Sequence, residues 1–227
     1  MEIGIIGVGN IGGTLARQLS GLGHNVKIAN SRGPETLTAM ADEIGATAAT
    51  VEDAARAKDL VIISIPEKAV TDLPREILSN SSAVIVDTGN YYPARDGQIP
   101  EIDDGMIESE WVSKMIGRPV VKAFNHIFSA SLASRGLPPG SPGRISLSIA
   151  GDDPAAKKLV LDLIDDIGFD GVDAGPLADS WRQQPGTPAY TIDVDAEARK
   201  AALAQADESK ISEYRNEANE AARAWFA

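Results

Sequence analysis

The opening stretch of this chain, residues 2–35, EIGIIGVGNIGGTLARQLSGLGHNVKIANSRGPE, allows very few folds. Ile3-Gly4-Ile5-Ile6 is an apolar run long enough for a buried strand. Gly7-Val8-Gly9-Asn10-Ile11-Gly12 follows at once, residues 14–22 carry apolar side chains at helical spacing, and residues 25–29 form a second apolar strand. A glycine triplet alone is weak evidence. Placed between a strand and a helix in a unit of about 30 residues, it reads as a dinucleotide-binding turn. Gly7 permits the tight turn, Gly9 leaves the backbone open to a pyrophosphate, and Gly12 lets the helix pack close to the sheet. The helix start then presents unpaired N–H groups and a positive dipole end to phosphate.

The end of the second strand bears on which dinucleotide binds. An NAD site places Asp or Glu there, about 20 residues past the glycines, to bind the ribose hydroxyls. Here the strand ends Ile28-Ala29-Asn30-Ser31-Arg32, with no acid until Glu35. A carboxylate would repel a 2′-phosphate, whereas Ser31 can donate to one and Arg32 can fork onto it. The expectation is NADP(H). A solvated loop arginine is the plainer reading of Arg32, and it leaves the missing acid unexplained.

Strands and helices go on alternating. Residues 34–44 read as a helix ended by Gly45, residues 46–49 as a short strand, and residues 51–57 as a short helix. Residues 59–66 form a strand apolar on both faces, as a central parallel strand must be. Residues 67–78 look helical with a break at Pro74, and residues 82–87 are a fifth strand. A long acidic loop leads to a helix at 108–116, and residues 119–124 make a sixth strand ending in Asn125-His126-Ile127. Residues 135–143 are turn-rich, 144–150 a strand, 154–167 a helix capped by Asp152 or Asp153, and 169–172 a last strand. The implied fold is α/β: a Rossmann-type, doubly wound, mainly parallel sheet extended by two further strands. Residues 1–177 form the dinucleotide-binding domain, and residues 178–227 form a loop and a helical tail. Residues 195–226 read as one long helix with few apolar anchors, lying on the surface or against a second subunit, so a homodimer is expected.

Composition narrows the function. The formal net charge of −12 argues against nucleic acid or an anionic membrane as partner. There is no cysteine, which excludes disulfides and thiolate nucleophiles, and two histidines leave no basis for a His-rich metal site. No apolar run approaches the ~18–20 residues of a membrane span, and no targeting segment precedes the first strand, so a cytoplasmic protein is expected.

As a set, Gly7 to Gly12, Asn30-Ser31-Arg32, Val121-Lys122-Ala123-Phe124-Asn125, Ala150-Gly151-Asp152-Asp153 and Asp173-Ala174-Gly175-Pro176-Leu177 resemble the NADP oxidoreductases dependent on coenzyme F420. The resemblance spans residues 1–177. The NADPH-binding domain of membrane ferric reductases is similar too, especially across residues 110–132. The resemblance implies hydride transfer between NADP(H) and a deazaflavin, with a flavin or another small planar acceptor as variants. By position, Gly7, Val8, Gly9, Asn10, Ile11 and Gly12 hold the pyrophosphate, and Ser31 and Arg32, beside Asn30, hold the 2′-phosphate. Ile65 and Pro66 line the cofactor further along, and Asn125 and Ile127 border the nicotinamide. The chain departs from the family's pattern by placing His126 where threonine is common, and Asn125 where F420-dependent enzymes often carry histidine.

His126 has two readings: a hydrogen bond to a substrate carbonyl or ring nitrogen, or a loop histidine satisfied by backbone. His24 reads as a turn residue, Asp87 as a loop hydrogen-bonder, and Trp181 as a core or interface anchor. Hydride transfer between rings needs alignment more than acid–base help, so Asn125 and His126 are candidates as pocket residues with no general acid or base assigned. The competing functions are a dinucleotide-binding sensor or regulatory module without turnover, and a dehydrogenase of small imino or hydroxy acids.

Overall fold

The structure, a computed structural model, describes residues 1–226. Six parallel strands form the main sheet in the order β3-β2-β1-β4-β5-β6. They are β1 (Glu2–Ile6), β2 (Asn25–Ala29), β3 (Thr47–Ala48), β4 (Leu60–Ile63), β5 (Val84–Asp87) and β6 (Val121–Lys122). The central strand β1 pairs with both β2 and β4, and the chain order reverses there. Ligands of open α/β sheets bind at the carboxyl edge beside such a reversal.

Side-chain alternation splits the core into two layers. Ile3 and Ile5 of β1, with Leu60 and Ile62 of β4, pack under the first helix (Asn10–Gly21) through Leu15, Ala16 and Leu19. Ile6, Val61 and Ile63 face the other layer, where Ala54, Trp111, Val112 and Ile116 cover them. Fully burying each such aliphatic side chain contributes roughly 1.5–3 kcal/mol. This two-sided burial is why the strands read as unbroken apolar runs.

The two further strands, β7 (Ser146–Ile149) and β8 (Asp170–Asp173), pair parallel to one another as a separate ribbon. One antiparallel bridge, Lys122 with Ala150, ties the ribbon to β6. The helix Pro154–Asp166 crosses between them, and Asp153 caps it by accepting from the N–H groups of Ala155 and Ala156.

Three segments differ from expectation. The acidic loop after β5 contains two helical turns, Pro93–Asp96 and Pro100–Asp103, each started by a proline at its first position. A short helix, Ser129–Ser134, precedes the turn-rich segment. The tail is two helices, Ala196–Gln205 and Ile211–Phe226, because Ala206 turns extended and the Asp207 carboxylate takes the N–H of Ser209. Leu203 of the first packs with Val172 and Ala189. The second lies against the turn at 93–96, where Asn219 accepts from the Ala94 N–H at 2.7 Å. Among the described residues no helix is long and apolar enough to cross a membrane.

Candidate functional site

At the end of β1 the backbone of Gly7 takes φ +95°, and a Cβ there would lie 2.1 Å from the Ser64 carbonyl oxygen. A Cβ at Gly12 would lie 2.0 Å from the Gly7 carbonyl oxygen. Both glycines are demanded by the protein's own packing. Gly9 is different: a Cβ there would meet nothing within 4 Å. Its N-terminal position on the first helix carries no side-chain cap, and no acid stands in the first turn. The helix N–H groups are therefore open to an anion.

A cleft of about 660 Å³ runs along this edge, from Gly7 and Gly9 past Asn30, Ser31 and Arg32 to Ile65 and Pro66. The structure thus brings both halves of the expected cofactor site together. Val8 and Ile11 pack their side chains on the core, leaving their backbones to the loop. Asn10 borders a shallower depression on the other side of Gly9. Asn30 shapes the far end by accepting from the Arg32 N–H at 2.8 Å and donating to Thr36 at 3.0 Å. That turn leaves Ser31 and Arg32 exposed. Among the described residues, neither the Ser31 hydroxyl nor the Arg32 guanidinium has a protein partner.

Further along the edge, β5 delivers Asn90 and β6 delivers the turn at 124–127. Phe124 holds a left-handed φ of 63°, which is costly for an aromatic residue and persists only where packing enforces it. The Asn125 amide donates to Asn90 Oδ1 at 3.0 Å and to the Gln183 carbonyl at 2.8 Å. Its Oδ1 accepts from Gln183 Nε2 at 3.0 Å. His126 is fully buried, and its Nε2 accepts from the Ser148 N–H at 3.1 Å. Burial, with Arg199 and Lys122 nearby, holds its pKa well below the ordinary value. The expectation of a His126 contact to a bound ring is corrected: the neutral imidazole is spent on β7 and shows no face to the cleft. Ile127 is likewise corrected, since its side chain lies in the core layer and only its backbone can reach a ligand.

Behind this edge lies an ionic cluster that sequence reasoning missed. Lys122 and Asp87, both buried, meet at 2.9 Å. The ammonium also donates to the Gly89 carbonyl at 2.6 Å, and Ser109 donates to Asp87 at 2.9 Å. Glu108 accepts from the Tyr91 N–H at 3.2 Å, and burial pushes its pKa up to about 7. Glu67 is fully buried, with neither carboxyl oxygen hydrogen-bonded. Burial first, then Asp87, raises its pKa well above the ordinary value. A lysine inside the apolar run Val120-Val121-Lys122-Ala123-Phe124 was the available signal, because a buried lysine requires a buried acid.

The remaining candidates fall to structural roles. His24 Nδ1 lies 3.2 Å from the Met1 amino group. Trp181 is 3% exposed, with the Arg182 guanidinium 4.6 Å from its ring centre.

Residues 2–91 match the family described as NADP oxidoreductase coenzyme F420-dependent. A hypothetical protein from Sinorhizobium meliloti, SMa0349, has a solved structure 32% identical to this chain, with a TM-score of 0.71 over 86% of this chain and 95% of that one. A candidate F420-dependent NADP-reductase from Arthrobacter sp. FB24 is 24% identical, with a TM-score of 0.64 over 89% of each chain, a likeness of fold. The protein YjhV of Escherichia coli (strain K12) is 52% identical over 60 residues, which are 26% of this chain and 44% of that protein's length. Fold, glycine turn and matched residues agree: over residues 2–91 the chain matches the NADP oxidoreductase, coenzyme F420-dependent family.

Proposed function

We propose that this chain binds NADP(H) in the sheet-edge cleft and exchanges hydride with a deazaflavin, a flavin or another small planar acceptor, with coenzyme F420 the leading candidate. Gly9 carries the reading. Its missing Cβ leaves open space that the fold itself does not use, next to helix N–H groups without a cap. Ser31 and Arg32 supply the 2′-phosphate with a hydroxyl donor and a guanidinium fork, and the strand end itself carries no acid, the nearest carboxylate in sequence being Glu35, which packs against Gly33. Ile65 and Pro66 give the cleft an apolar wall. When bound, the nicotinamide supplies the hydride. The residues of this chain supply binding, orientation and exclusion of water. Residues 1–177 are the NADP-binding unit, residues 178–227 complete the acceptor end, and the protein acts in the cytoplasm as a homodimer. The exposed Trp225 at the end of the tail helix supports the dimer.

The burial of His126 and Ile127 favours a second reading, a dinucleotide-binding module without turnover. Following NADPH absorbance with oxidised F420, riboflavin and FMN separates the two. Oxidation with any of them supports the enzyme. Tight NADPH binding with no oxidation supports the module.

A further inference from the structure

The hydrogen bonds around Asn90 leave one proton donor unspent. Asn90 Nδ2 donates to the Asn125 carbonyl at 2.8 Å and to the Tyr190 hydroxyl at 3.3 Å. The hydroxyls of Tyr190 and Tyr92 lie 2.8 Å apart. Two hydroxyls carry two protons, and one is shared between them. The other has no acceptor among the described residues. Tyr92 is 6% exposed, while Tyr190 and Asn90 are only partly buried. A free O–H on Tyr92 would be a buried donor without a partner, which costs free energy. The arrangement that avoids this has Tyr92 donating to Tyr190. Tyr190 then accepts from both Asn90 and Tyr92, and its own O–H points out of the pair.

The loop carrying Tyr190 is held rigid at a cost. Arg199, fully buried, donates to the carbonyls of Ala189 at 2.5 Å and Ile192 at 2.7 Å, one on each side of Tyr190. Thr191, the next residue, adopts a left-handed φ of 50°, and its N–H donates to the His126 carbonyl at 2.9 Å. With Phe124, two non-glycine residues in left-handed conformations thus bracket the turn at Asn125. Such strain concentrates where a side chain must be presented in one orientation.

We infer that Tyr190, backed by Tyr92 and Asn90, is the hydrogen-bond donor of an acceptor-ring subsite at the junction of the β5–β6 edge and the tail. Its ligand is a planar conjugated ring with a carbonyl oxygen or ring nitrogen at its rim, as in flavins and deazaflavins. The inference rests on the proposed NADPH-linked reaction, and it names the residue that orients the acceptor. Burial raises the pKa of both phenols, so the donor stays protonated at neutral pH.

The test is equilibrium binding, read without turnover. Coenzyme F420 and riboflavin are titrated by fluorescence into wild type, Tyr190→Phe and Tyr92→Phe, each saturated with NADP+, and NADP+ affinity is measured separately. The expected result is ring binding by wild type, weakened about five- to tenfold in Tyr190→Phe and less in Tyr92→Phe. NADP+ affinity should stay unchanged, and Tyr190→Phe, which takes the acceptor from the buried Tyr92 O–H, should melt somewhat below wild type while remaining folded. Should Tyr190→Phe melt early, Tyr92→Phe, which keeps Tyr190, carries the comparison. Ring binding equal in all three proteins, or binding of neither ring by wild type, overturns the subsite. Loss of NADP+ binding in wild type, with Tyr190-dependent ring binding intact, sinks the proposed function and leaves the subsite standing.

Discussion

The two ends of the sheet edge are built by opposite means. At the β1–β2 end the site is local: Gly7, Gly9 and Arg32 stand within one βαβ unit, and the groups offered to a phosphate are backbone N–H groups and the exposed Ser31 and Arg32 side chains. At the β5–β6 end, Asn90, Asn125 and Tyr190 come from distant parts of the chain and are held by a buried polar network. The first end can lose a side chain without consequence for the fold. At the second, binding and stability are carried by the same residues. Substitutions at the two ends should therefore fail differently.

The largest effect is expected behind the β5–β6 end. Lys122→Met leaves Asp87 as a buried carboxylate without its cation, a loss of about 3–5 kcal/mol. Urea unfolding measures it. A loss under about 1 kcal/mol would mean that Asp87 finds compensation elsewhere and that the pair is not what holds this end.

Next comes pH. Glu108 has a folded pKa raised from 4.5 to about 7, so its contribution is full below about 4.5 and is lost as pH rises to about 7. Glu67 shifts the same way. His126 works in the opposite sense: held neutral, it costs stability as pH falls below its ordinary 6.5. The wild-type slope therefore mixes both. The difference between Glu108→Gln and wild type isolates the carboxyl, and relative to wild type the variant should gain up to about 3 kcal/mol between about pH 4.5 and 7. Parallel pH profiles for the two proteins would contradict this.

The glycine loop offers the cleanest separation of binding from folding. Gly9→Val puts a branched side chain into open space, so the protein should melt normally and bind dinucleotides at least about 100-fold more weakly, about 2.7 kcal/mol. Gly12→Ala drives a Cβ to 2.0 Å from the Gly7 carbonyl and should destabilise the fold by roughly 1–3 kcal/mol. Equal melting losses in the two variants would show that Gly9 is a packing glycine as well.

This contrast also explains what could be read from sequence. The strands of the main sheet were legible because double-sided burial writes itself as runs such as Leu60-Val61-Ile62-Ile63. The glycine turn was legible because its constraints act within a few residues. The tail was misread as one helix because its break depends on Asp207 bonding its own backbone against a strongly helical composition. His126 and Tyr190 were not legible, because a side chain's direction is fixed by partners far along the chain. His126 answers to Ser148, and Tyr190 to Tyr92, Asn90 and the Arg199 clamp. Only Lys122 carried a signal that sequence alone could have used.

The smallest predicted effect bears most directly on the central claim, that the cleft is an NADP(H) site read by Ser31 and Arg32. Calorimetric titration of wild type and Arg32→Ala with NADPH and with NADH measures it. Wild type should prefer NADPH at least about tenfold, about 1.4 kcal/mol, and Arg32→Ala should lose most of that preference while holding NADH as before. Equal affinity of wild type for the two dinucleotides, or a preference that survives Arg32→Ala, would contradict the account.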